Sequence, residues 1–94
     1  MDPSEQPFDG EPIIFIITGR VSRYKGGKQT EMHVIVSAPD DDTAVRTTLD
    51  AMAREGYAEA ELDQIGVMDS TPQDEPHMSA YQGALDGEVA IITF

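Results

Sequence analysis

Ile13-Ile-Phe-Ile-Ile17-Thr-Gly-Arg-Val21, then Gly26-Gly27, then Thr30-Glu-Met-His-Val-Ile-Val-Ser37: this stretch decides the fold. The first run is β-branched and apolar without a helical period, so it reads as a strand. It is apolar on both faces, which places it in the centre of a sheet. The second run alternates, with Met32, Val34 and Val36 on one face and His33, Ile35 and Ser37 on the other. Adjacent glycines between two extended runs signal a hairpin, because glycine accepts positive φ without steric cost.

Working outward, Pro39-Asp40-Asp41-Asp42 opens a helix over roughly 40–55. Carboxylates at that end accept hydrogen bonds from free backbone N–H groups and meet the positive end of the helix dipole. Ala44, Val45, Leu49, Met52 and Ala53 are spaced as one buried stripe, and Gly56 suits a left-handed helix end. Residues 60–68 read as a third strand, bulged or bent near Gly66. Asp69 to Pro76 read as a polar loop with two prolines. Met78, Tyr81 and Leu85 are spaced helically, giving a short helix over 77–85 opened by Pro76. Glu88-Val-Ala-Ile-Ile-Thr-Phe94 is the last strand.

The predicted order is β-β-α-β-α-β, an α+β fold. It is expected as a two-layer sandwich, a four-stranded mixed sheet with two helices on one face. In architecture alone this resembles a small ferredoxin-like or related plait. Residues 1–11 hold four acids, two prolines and one large apolar residue, Phe8, and read as a mobile acidic tail before a single domain over 12–94.

Charge is distributed unevenly. Six residues are basic and eighteen acidic, a formal net charge of −12. Four of the six basic residues, Arg20, Arg23, Lys25 and Lys28, lie in the hairpin. No base follows Arg54, and residues 55–94 carry nine acids. The folded molecule is therefore an acidic body with one basic end. Such a body does not neutralise a phosphate backbone over a broad surface, nor does it adhere to anionic membranes. Direct nucleic-acid and membrane partners are set aside on those grounds. No apolar run approaches the ~18 residues that span a bilayer, the N-terminus has no secretory-signal pattern, and there is no cysteine. A cytoplasmic location is the expectation.

The hairpin is the first candidate site. Arg20, Arg23, Lys25 and Lys28 can hold a phosphate or an acidic protein surface, with Tyr24 as a stacking platform; the plain alternative is a hairpin kept soluble by charge. The aspartate triplet is explained by helix capping, since the spread oxygens and fixed glycine of a calcium loop are missing. Met32-His33 and His77-Met78 pair imidazole with thioether, donors that suit a soft metal. However, Met32 and His33 must point to opposite faces of their strand, so no metal and no cofactor is assigned. His33 and Ser37 share a face and come nearest to a catalytic constellation, yet no nucleophile elbow, zinc-protease motif or phosphate loop is present. No catalytic residue is assigned, and the balance is against an enzyme.

The leading expectation is a small acidic interaction module that binds a protein partner or itself. Two alternatives stand beside it: an acidic mimic that occupies a nucleic-acid-binding protein, and a small-molecule or enzymatic pocket between sheet and helices. If both helices lie on one face, Ile14, Ile16, Ile35, Ile92 and Phe94 form an exposed apolar patch on the other, and a homodimer packing sheet on sheet would bury it.

Overall fold

The computed structural model describes residues 13–94. The tail assigned to 1–11 and the domain start at Pro12 lie outside the described residues. The elements are β1 (Ile13–Ser22), β2 (Thr30–Ala38), α1 (Asp41–Arg54), β3 (Glu59–Met68), α2 (His77–Leu85) and β4 (Ala90–Thr93). The order β-β-α-β-α-β is thus as the sequence indicates.

The sheet order is β3-β1-β2-β4, and every neighbouring pair is antiparallel. The expected mixed sheet is corrected on this point. β2 and β3 run the same way but never touch, because β1 lies between them. β2 pairs with β1 over its whole length, from Ala38 opposite Ile13 to Thr30 opposite Val21. β4 adds only a short ladder, Met32 to Ile35 against Thr93 to Ala90.

Strand alternation divides the core in two. Phe15, Ile17 and Val21 of β1 join Met32, Val34, Val36 and Ala38 of β2 on the face that receives Ala44 and Met52 of α1. Ile14 and Ile35 face the other way and pack on Ala80 and Ala84 of α2. The helices therefore cover opposite faces, giving three layers. Both the two-layer sandwich and the ferredoxin-like expectation are corrected. A central strand apolar on both sides needs a cover on each, and the two helices supply one apiece.

Each helix has a physical start and stop. Asp40 is the N-cap of α1, and its carboxylate accepts a 2.7 Å hydrogen bond from the Thr43 amide. That bond to the charged form holds the Asp40 carboxyl below its ordinary range. Pro76, the residue before α2, offers no side-chain cap. Glu75 serves instead, accepting from the Ser79 amide at 3.1 Å and from its hydroxyl at 2.8 Å. Both helices end in a Schellman arrangement, with Gly56 and Gly87 at positive φ. Tyr57 N–H donates to Met52 O, and Glu88 N–H to Gly83 O.

Two local expectations differ from the structure. The β3 irregularity lies not at Gly66 but opposite Thr18 and Gly19, which pair with Gln64 and Leu62 and leave Asp63 as the extra residue. Gly19 is required there, since a Cβ would run into the Glu61 carbonyl oxygen. On α1 the fully buried positions are Ala44, Thr48 and Met52, whereas Leu49 is 42% exposed. The stripe is thus centred one residue from Leu49, on a threonine whose hydroxyl finds no partner among the described residues.

Candidate functional site

The basic end of the molecule is the loop between β1 and β2 together with what it folds against. Gly27 N–H donates to Tyr24 O at 2.9 Å, closing a β-turn with Lys25 and Gly26 at its centre. Gly26 takes φ 72°, which the second central position of such a turn favours for glycine. Ser22, buried at the base, donates from its hydroxyl to Tyr24 O at 2.6 Å. Gly26 N–H reaches the Glu59 carboxylate at 3.1 Å. With the Tyr24 N–H donating to the Ser22 hydroxyl at 3.3 Å, four hydrogen bonds define this loop, so the turn presents its side chains from a built framework.

The candidate residues divide into two groups. Arg20 and Arg23 are engaged with the scaffold. Arg20 lies across the sheet from Glu61 and holds Glu61 at 2.8 Å and Asp63 at 3.1 Å. The hydrogen bond it donates to Asp63, then the charges of Asp63 and Glu61, raise its proton affinity further. It seals the bulge in β3 and is not offered outward as an unpaired cation. Arg23 donates from Nη1 to the Glu55 carbonyl at 2.8 Å, at the C-terminal end of α1. Its guanidinium lies 4.3 Å from the centroid of the Tyr57 ring. A cation at that end of a helix complements the dipole, and the ring adds a cation–π contact.

Tyr24, Lys25 and Lys28 make the second group. All three are exposed, Tyr24 at 77%. Neither lysine forms an ion pair with a described residue. Beneath them is a cavity of about 350 Å³ lined by Val21, Arg23, Tyr24, Lys28, Thr30, Tyr57 and Thr93. Val21 gives it an apolar floor, and the rim carries two cations, two phenols and two threonine hydroxyls. Such a set accepts an anionic, hydrogen-bonding group. Sequence reading found the loop but missed Tyr57, Thr30 and Thr93. These come from the second residue after the α1 C-cap, the first position of β2 and the last of β4. Only the strand order brings them to one place.

The apolar set expected to drive self-association lies elsewhere. Ile14 and Ile35 are buried under α2, with Ile16 and Ile92 partly buried beside them. Only Phe94 is well exposed, at 61%. The premise of an uncovered face is corrected, because α2 covers it. His33 does not meet Ser37; it meets His77 instead, with the two rings in hydrogen-bond contact. Among the described residues no group of three or more histidines and carboxylates is placed to hold a metal ion. No helix among them is long and apolar enough to cross a membrane.

No protein family, curated protein or solved structure matches the chain, and the hairpin-end cavity therefore rests on its own chemistry.

Proposed function

We propose that this chain is a small non-enzymatic interaction module that grips a protein partner through the hairpin-end cavity. The observation that carries the reading is the convergence of Arg23, Lys28, Tyr24 and Tyr57 on one cavity in a chain of net charge −12. The acidic body draws a partner whose surface is basic on balance. The cavity then fixes orientation by taking one acidic side chain of that partner. A carboxylate there can receive charge-assisted hydrogen bonds from Lys28 and from the guanidinium of Arg23, which keeps N–H donors beyond the one given to Glu55. Tyr24 supplies apolar area and a hydroxyl at the entrance.

The test compares two lysine-rich peptides that differ at one central residue, glutamate against glutamine. Both should bind the acidic body weakly. Only the glutamate peptide should shift the amide resonances of Ser22 to Thr30, Tyr57 and Thr93. Lys28→Glu should erase that difference at an unchanged melting temperature, because an exposed charge affects stability by no more than about 0.5 kcal/mol. If the two peptides give the same shifts, or if the difference maps to another surface, the reading is wrong.

A further inference from the structure

We propose that His33 and His77 form a two-nitrogen chelate for one late first-row divalent ion, of which Cu²⁺, Ni²⁺ and Zn²⁺ are the fitting members. His33 projects from β2 on the α2 side of the sheet, and His77 is the first residue of α2. His33 Nδ1 and His77 Nε2 stand 2.9 Å apart. Two imidazole nitrogens bound to one such ion, at ~2.0–2.1 Å each, are separated by about 3 Å. The chelate therefore requires a turn of the rings and little movement of the backbone.

The surroundings select the nitrogen that is free to bind. Glu31, two residues before His33 on the same face, brings a carboxylate oxygen to 3.7 Å from His33 Nε2. At that distance the carboxylate makes no hydrogen bond, but its charge favours a proton on Nε2, the tautomer that leaves the near nitrogen's lone pair available. In the neutral pair, one of the two facing nitrogens carries the hydrogen of the N–H···N bond. When the ion enters, that hydrogen moves to the other nitrogen of its own ring, and both lone pairs face the ion with no net proton released. A pair that carries one extra proton gives up that proton to solvent. Imidazole donors favour Cu²⁺, Ni²⁺ and Zn²⁺ over Mg²⁺ and Ca²⁺. Phe94 closes one side with an apolar wall, its ring centroid 4.8 Å from that of His33 and 6.3 Å from that of His77. Met32 takes no part; it is buried on the opposite face. With only two protein donors, water fills the remaining positions and the ion exchanges readily.

The thioether–imidazole motif in the sequence is thus resolved into its imidazole half. The ion would tie the start of α2 to the middle of β2, so it binds the folded chain and stabilises it. At tenfold excess over the dissociation constant, Zn²⁺ should raise the melting temperature by roughly 5–10 °C. An equal concentration of Mg²⁺ should not. His33→Gln and His77→Gln should each abolish the rise. A rise that persists in both variants, or that Mg²⁺ matches, would place the ion on the acidic surface and overturn the proposal. A second measurement needs no variant: Zn²⁺ titrated into the unaltered protein should move the ring resonances of both histidines together and saturate at one ion per chain. Movement of only one ring, or any other stoichiometry, overturns it equally.

Discussion

The two faces of the sheet are covered in different ways. On the α1 side the cover is thick: Phe15, Ile17, Met32, Val34 and Val36 stand under a helix that inserts Met52. On the α2 side only Ile14 and Ile35 of the sheet are fully buried, and the helix meets them with Ala80 and Ala84. One side is filled by long side chains. The other is closed by bringing a helix backbone near the strands over small residues. The same sheet thus supports two kinds of packing, and they should fail in opposite ways.

The largest effect is expected on the thick side. Met52→Ala removes a long buried side chain and should cost about 2–5 kcal/mol through lost transfer energy and a residual cavity. Leu49→Ala, three residues away on the same helix, should cost about 1 kcal/mol or less, because that leucine is already 42% exposed. Urea unfolding of the two variants measures the contrast; equal costs would show that the helix is seated on the Leu49 side.

On the thin side the damaging change is an addition. Ala84 is fully buried against the sheet, so a larger group there must displace its neighbours. Ala84→Leu should destabilise by about 1–3 kcal/mol as α2 is forced off the strands. The amide shifts of Ile35 and Ala90 should move while those of Met52 and Val34 hold. A stabilised Ala84→Leu variant would mean that this face carries unfilled space.

The smallest effect separates the helix starts. α1 is capped by the carboxylate of its own N-cap residue Asp40, whereas Pro76 offers no cap and Glu75 substitutes from one residue earlier. The Asp40 carboxyl titrates below its ordinary value of 3.8 in the folded chain, chiefly because it accepts the Thr43 amide. Its charge therefore adds stability that is fully present above that ordinary value and is lost as the pH falls through the lower, folded-state value. Asp40→Asn keeps a capping side chain but no charge. The variant should be less stable near neutrality, and the gap should close in acid. A gap that stays constant with pH would assign the stabilisation to the hydrogen bond alone.

Much of this fold was legible in the chain. The hairpin, the cap at Asp40, the helix over 77–85 and the element order all follow from local chemistry: β-branched runs, paired glycines and carboxylates at a helix start. The distribution of the helices was misassigned to one face, although β1 carried the signal. Its two apolar faces called for two covers, and the alanines of α2 are suited to close approach. Thr48 was missed because a threonine between Val45 and Met52 reads as polar, while its methyl packs as an apolar group. At the site, the loop was readable because its cations adjoin in sequence. Tyr57, Thr30 and Thr93 were not, since only pairing across the sheet brings them together. The contact between His33 and His77 depends in the same way on where α2 begins relative to β2.

The strand order also sets a sequence of events during synthesis. Residues 13–68 contain β3, β1 and β2, three adjacent strands, together with α1. They can assemble the α1 side of the sheet before the rest of the chain exists. Ile14 and Ile35 then await α2, and the outer edge of β2 awaits residues 90–93. At typical rates of elongation the interval from Met68 to Thr93 is about one to five seconds. During it the molecule has an open strand edge and one bare apolar face, the state in which chains join to the wrong neighbour. Five acids, Asp69, Asp74, Glu75, Asp86 and Glu88, emerge in that same interval. Like charges repel, so the same acidity that surrounds the finished surface also opposes the joining of half-made copies.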